Sequence, residues 1–257
     1  MMSETARILR AAARLSALCA VTAALYAACV AGAALPCASG RARVRRRAVL
    51  FRAWARAAAL IMGMRLNVDG AAPRPPFLLV VNHLGYADVV ALAARCECVF
   101  VAKKEVAGWP VVGSLCGRAG TIFVDRRSRR DIPRALALVE AALDEGAGVV
   151  LFAEGTSTRG SGVLPFKSPL LEAAARRGLP VHHASLSYRT PRGEAPAETA
   201  VCWWGDMTFP GHFFGLLKLT GFRADLAFGA EAITGRDRKA LAGKLRAAVS
   251  ARFVPVA

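Results

Sequence analysis

The chain has 257 residues, enough for one large domain with an appendage, and carries a formal net charge of +17 on a composition that is 55% hydrophobic. An aromatic content of 7% offers no obvious stacking platform for nucleic acid, which argues against a nucleic-acid-binding protein. Seven cysteines (Cys19, Cys29, Cys37, Cys96, Cys98, Cys116 and Cys202), an odd number without CxxC spacing, argue against a disulfide framework or a zinc site and read as reduced, mostly core residues.

The charge is unevenly placed. Residues 1–56 hold ten arginines against Glu4, which is +9 of the +17. They flank Leu15 to Leu35, 21 residues without a charge and long enough to span a bilayer core of roughly 30 Å. A cleaved signal peptide is the rival reading, given Arg7, Arg10 and Arg14 ahead of the run and the small residues Ala31-Gly32-Ala33-Ala34 near its end. The length of the run and the basic stretch Arg41 to Arg47 behind it favour a retained anchor beside anionic lipid. Five arginines after the segment against three before it put the C-terminal part on the cytoplasmic side of the membrane. The segment is Ala-rich, so an in-plane or re-entrant helix also fits.

Residues 48–64 continue as a helix. At about 100° per residue, Arg45, Arg52 and Arg56 share one face, with Leu50, Trp54, Ala57 and Ile61 opposite. That pattern suits an interfacial helix with snorkelling arginines; an ordinary surface helix packed on the domain is the alternative. Gly70 to Pro76 punctuates the chain, and Phe77 to Val81 reads as a buried strand. Asn82-His83-Leu84-Gly85-Tyr86-Ala87-Asp88 follows, and Val89 to Ala94 reads as a helix body. A neutral imidazole can take a proton near pH 7, and a carboxylate can fix its tautomer. On an ideal helix positions five apart diverge by about 140°, so His83 and Asp88 meet only if His83 lies on the loop and Asp88 in the first turns.

Strands and helices then alternate. Val99–Ala102, Thr121–Val124, Val149–Phe152, Val181–Tyr188, Val201–Trp204 and Ala224–Phe228 read as strands. Pro110–Arg118, Asp131–Leu143, Pro169–Arg177 and Arg238–Val249 read as helices. The alternation predicts an α/β domain around a mixed, mostly parallel sheet flanked by helices. Two more polar clusters fall at strand ends, where open α/β sheets place their sites: Asp125-Arg126-Arg127 and Glu154 to Gly160. His182 and His183 are adjacent, hence on opposite faces of a strand and unsuited to share a metal. His212 lies in the aromatic segment Pro210 to Phe214, which can line an apolar groove or serve the core.

Across roughly residues 76–190 the sequence resembles the lysophospholipid (glycerolipid) acyltransferase family. Asn82-His83 with Asp88 matches its NHxxxxD block, Gly120 to Arg126 its second block and Phe152-Ala153-Glu154-Gly155-Thr156-Ser157 its FPEGTRS block. Leu164 to Lys167 and Leu179-Pro180-Val181 resemble the segments that follow. Ala153 replaces a proline, His182-His183 falls where a Val-Pro pair is expected, and Ser157 replaces the arginine associated with the acceptor phosphate. Arg159 lies two residues on.

The resemblance implies transfer of a fatty acyl group from a thioester, acyl-CoA or acyl carrier protein, to a lysophospholipid hydroxyl, with no resident cofactor or metal. The expected acceptor is 1-acyl-sn-glycerol-3-phosphate, giving phosphatidic acid; the altered EGTR block leaves another lysolipid, such as lyso-ornithine lipid, as the alternative. A basic, membrane-anchored binding protein is the remote alternative. His83 is the expected general base and Asp88 its partner. Lys103, Arg126 and Arg159 are expected anion binders, and Glu154, Gly155 and Thr156 are expected to shape the acceptor site. The expected organisation is an anchor over 1–47, an interfacial helix and lead-in over 48–70 and a catalytic domain over 71–257, on the inner membrane facing the cytoplasm. Membrane lipids, not nucleic acid, are the expected surroundings.

Overall fold

Five-residue apolar runs with no polar alternation need cover on both faces, and that requirement organises the molecule. The computed structural model describes residues 3–34, 39–126, 128 and 130–256, so Leu35, Cys37 and Arg127 lie outside the described residues. In chain order, helices α1 (Glu4–Ala34) and α2 (Gly40–Met62) lead into β1 (Met64–Asp69), β2 (Phe77–Val81), α3 (Ala87–Ala93), β3 (Cys98–Lys103), α4 (Val112–Arg118) and β4 (Ile122–Val124). Then come α5 (Asp131–Asp144), β5 (Gly148–Phe152), α6 (Glu172–Arg177), β6 (Val181–Arg189), α7 (Ala197–Ala200), α8 (Phe209–Lys218), β7 (Phe222–Phe228) and α9 (Arg238–Arg252).

The strands form one mixed sheet in the order β1-β7-β6-β2-β5-β3-β4, parallel at every pairing except β6 with β7. β2 and β5 pair at its centre, and every residue of both is buried. Phe77, Leu79 and Val81 point to one face, into a core shared with α2, α3 and α8; Leu78 and Val80 point to the other, with α5 and α9. The result is a three-layer α/β/α arrangement, with loops leaving the carboxyl ends of β2 and β5 side by side.

Several elements differ from the sequence reading. Met64–Asp69 is an edge strand paired only with β7, although it falls in the stretch read as interfacial helix and lead-in. Its mixed composition hides it: one buried residue heads an alternation ending in Asn67 and Asp69. The 47/48 division falls inside α2, a continuous helix capped by the Ser39 hydroxyl on Ala42 N–H. Val201–Trp204 is no strand but a loop after α7, and the aromatic run that follows is helix α8, with a proline in its first turn.

Among the described residues only α1 is long and apolar enough to cross a membrane by length and composition, and 11% of its most apolar window is buried in the protein. It nevertheless touches the globular part through its N-terminal turns and through Tyr26, whose hydroxyl accepts from Arg118 of α4 at 3.1 Å. Arg7 pairs with Glu194 at 3.1 Å and Lys218 with Glu4 at 2.6 Å. Arg10 donates to the Lys218 carbonyl and Arg14 to those of Leu217, Leu219 and Thr220, satisfying the orphan C=O groups where α8 ends. Beyond the turn, Gly40 lies against the Glu145 side chain at the end of α5. α2 returns beside α1, joined by a Trp54–Thr22 hydrogen bond of 3.0 Å. Two of its arginines reach the domain: Arg52 pairs with Glu97 at 3.0 Å and Arg56 donates to the Ala94 carbonyl.

Candidate active site

β2 ends at Val81 and the chain turns at once. Asn82, the first residue off the strand, donates its side-chain amide to the Leu186 carbonyl at 2.9 Å and accepts from Leu186 N–H at 2.8 Å. That amide extends the β2–β6 ladder by one rung, which a residue with both a donor and an acceptor can do. His83 sits on the loop and Asp88 is the second residue of α3, the placement the five-residue spacing requires.

His83 Nδ1 lies 2.7 Å from Asp88 Oδ2. The same oxygen accepts from the N–H groups of Leu84 (2.7 Å) and Gly85 (3.0 Å), so the turn wraps around the carboxylate. Oδ1 accepts from the Tyr188 hydroxyl at 2.7 Å, and Asp88 is wholly buried. The His83 ring stacks on Phe152 at 4.1 Å between centroids and 19° between planes. Pinned on one edge and one face, the side chain keeps 20% of its surface exposed, and Nε2 has no hydrogen-bond partner among the described residues. With Nδ1–H directed at a carboxylate, Nε2 carries the lone pair: the arrangement can accept a proton from a bound hydroxyl and later return it.

Glu154 follows β5 and braces the turn. Oε1 accepts from His83 N–H at 2.7 Å and Oε2 from Leu164 N–H at 2.9 Å, and the residue is buried. Burial pushes its carboxyl up, against the lowering effect of the two N–H donors. Thr158 N–H donates to the His83 carbonyl at 3.0 Å, so the loop from β5 is tied to the histidine at both ends.

A second brace comes from the Trp203-Trp204 segment. Trp203 N–H donates to the Leu84 carbonyl at 2.8 Å. A Cβ on Gly85, whose φ is +155°, would stand 2.9 Å from Trp203 N; only glycine admits this approach. Beyond lies an aromatic wall. The Tyr86 hydroxyl meets His212 Nδ1 at 2.8 Å, and the Tyr86 ring lies 5.2–5.6 Å from Phe209, His212 and Phe213 of α8.

Of the expected anion binders, Arg126 donates to the Gly155 carbonyl, which brings its guanidinium onto the loop that carries Ser157 where the family has arginine. Lys103 is exposed at the end of β3 and paired with Glu105 at 3.1 Å. Arg159 and Thr156 are exposed on the β5 loop, and Gly155 has φ +78°. Sequence reasoning missed the parts played by Tyr188 and Phe152. Phe152 was legible as the residue heading the Glu154 block; Tyr188 carries no local signal. His182 and His183 take opposite sides of β6, half-buried and buried respectively.

Comparison with known proteins follows the same lines. A family model described as "Acyltransferase" matches residues 65–187. The chain is 34% identical over 214 residues to a 1-acyl-sn-glycerol-3-phosphate acyltransferase of Neisseria gonorrhoeae, covering 82% of this chain and 83% of that one. It is 37% identical over 163 residues to a lyso-ornithine lipid O-acyltransferase of Rhodobacter capsulatus, covering 62% and 58%. In fold it is similar to the crystal structure of the 1-acyl-sn-glycerophosphate acyltransferase of Thermotoga maritima, with a TM-score of 0.59 at 18% identity over 92% of this chain and 96% of that one.

Proposed function

The chain belongs to the acyltransferase family and is a lysolipid acyltransferase, and from that premise we propose that His83 is the general base that moves a fatty acyl group from a thioester to 1-acyl-sn-glycerol-3-phosphate. The observation that carries the reading is the 2.7 Å contact of His83 Nδ1 with a buried carboxylate that leaves Nε2 open. Nε2 takes the proton of the acceptor hydroxyl as its oxygen attacks the thioester carbonyl carbon. The C=O π pair moves onto oxygen, and the tetrahedral adduct then re-forms the carbonyl and expels the thiolate. The thiolate takes the proton from Nε2–H, so ester and free thiol leave and the imidazole is neutral again. Asp88 holds the tautomer and offsets the charge of the transient imidazolium.

Arg126 is the proposed phosphate partner: its guanidinium, held on the Gly155 carbonyl, supplies positive charge at the loop that lacks the family's arginine. Lys103 and Arg159 add charge at the rim, and Gly155 and Thr156 shape the acceptor side. The donor is acyl-CoA or acyl carrier protein. The catalytic domain works at the cytoplasmic surface of the inner membrane, with α1 lying in the plane of the bilayer. The contacts of α1 with the domain from Glu4 and Arg7 as far along as Tyr26 support that placement, because a helix spanning roughly 30 Å of hydrocarbon would part its flanks and only one could reach the domain.

A second acceptor, lyso-ornithine lipid, is favoured by Ser157 and by the lyso-ornithine relatives of comparable identity. The experiment supplies labelled acyl thioester with a panel of lysolipids and identifies the product. Phosphatidic acid as the fastest-formed product supports the first reading, acylated ornithine lipid the second, and no acylation of any lysolipid contradicts both.

A further inference from the structure

The two oxygens of Asp88 are not used alike. Oδ2 collects three donors, from His83, Leu84 and Gly85, while Oδ1 meets one, the Tyr188 hydroxyl at 2.7 Å. Tyr188 is fully buried on β6, a hundred residues further along the chain, with its ring edge-on to Phe222 at 5.9 Å. The torsion that turns a carboxylate is broad and two-fold, so donors on one oxygen alone leave its plane poorly set. We infer that Tyr188 is a positioning residue for acyl transfer, turning the Asp88 carboxylate so that Oδ2 faces His83 Nδ1; this rests on the reading of His83 as the base.

Register supports the assignment. Leu186 and Tyr188 are two apart on β6 and so point to the same face. Leu186 holds Asn82 through its main chain and Tyr188 holds Asp88 through its side chain. One strand therefore fixes both ends of the Asn82–Asp88 turn. A phenol suits the task, having a rigid ring and a single O–H, and burial beside Asp88 keeps it neutral and donating.

The other titratable groups facing the dyad do not substitute for it. Glu154, from the end of β5, spends both oxygens on main-chain N–H groups. Tyr86 in the turn and Cys202 ahead of α8 are held neutral by burial. Arg56 of α2 lies at the far end of α3, on the Ala94 carbonyl. Tyr188 is thus the neutral donor placed to draw charge from Asp88, which moderates how strongly the carboxylate holds the His83 imidazolium.

The test is the pH profile of kcat/KM for Tyr188→Phe in the full-length protein on lipid vesicles. Removing the donor strengthens the hold of Asp88 on the imidazolium, so the acid limb moves to higher pH, by about half a unit. kcat falls about ten- to a hundredfold while KM for donor and acceptor stays within about twofold. Site-specific 3-fluorotyrosine at 188, nearly isosteric and a stronger donor, moves the same limb to lower pH and decides the matter if the phenylalanine variant does not fold. An unmoved limb in the fluorinated protein, with turnover still abolished in His83→Ala, overturns this inference alone. Turnover that survives His83→Ala overturns the reading beneath it.

Discussion

Glu154 carries more of the site than its place in a substrate-facing motif suggests. Its two oxygens are the partners of His83 N–H and Leu164 N–H, and the residue is 2% exposed. Truncation leaves two part-buried donors without partners, each costing about 1–3 kcal/mol. Glu154→Ala is therefore expected to lower the thermal midpoint and to abolish transfer together, as read by a melting curve beside an activity assay; a variant of native stability that has merely lost acceptor affinity would instead make Glu154 a ligand. Asn82 and Tyr188 share the logic, since each uses a side chain to join the turn to β6. His83 and Asp88 were legible as a pair because a strand-end loop followed by a helix start is the arrangement that lets positions five apart meet. Tyr188 was not, because its partner lies a hundred residues away and one tyrosine in a buried strand looks like core.

The elements most readily read were those whose burial leaves no choice. β2 and β5 are apolar throughout because parallel neighbours and helices cover both faces. α5 announced itself by Ala135, Leu136, Val139 and Leu143 on one side and an acidic first turn. Edge strand β1 and helix α8 were hidden for opposite reasons. β1 needs only one covered face and carries polar residues; α8 is aromatic on several sides because it packs on Tyr86 and on α1. Arg134 hydrogen bonding holds the Asp131 carboxyl at the start of α5 down to about 2, aided by the Asp125 N–H. A carboxyl lowered on folding contributes stability that is present above its ordinary value of 3.8 and is lost as pH falls towards 2. Asp131→Asn is expected to flatten the decline of the melting temperature between about pH 4 and 2; an unchanged acid limb would show that this cluster does not support α5.

At the scale of the molecule, charge and apolar surface fall on the same appendage. Ten arginines lie in the first 56 residues, and α1 and α2 expose Leu9 at 66% and Leu60 at 80%. Replacing an exposed leucine costs the fold little, whereas at a lipid surface each forfeits about 1.5–3 kcal/mol of transfer. Leu9→Asp with Leu60→Asp should release the protein from anionic vesicles in a flotation assay at an unchanged melting temperature; undiminished flotation would move the membrane contact elsewhere. The sequence left spanning and in-plane placement open because hydropathy counts length and not contacts. Contacts that hydropathy does not count run along α1, from the Arg14 hydrogen bonds to the end of α8 to the Arg118 hydrogen bond on the Tyr26 hydroxyl.

All of this converges on one imidazole. The measurement that bears on it most directly is turnover by purified, vesicle-bound His83→Ala with labelled acyl thioester and 1-acyl-sn-glycerol-3-phosphate, beside wild type of equal melting temperature. Loss of the base is expected to cut kcat by about 10²- to 10⁴-fold while the variant still floats with vesicles. Transfer within about twofold of wild type would contradict the assignment of His83 as the group that takes the proton.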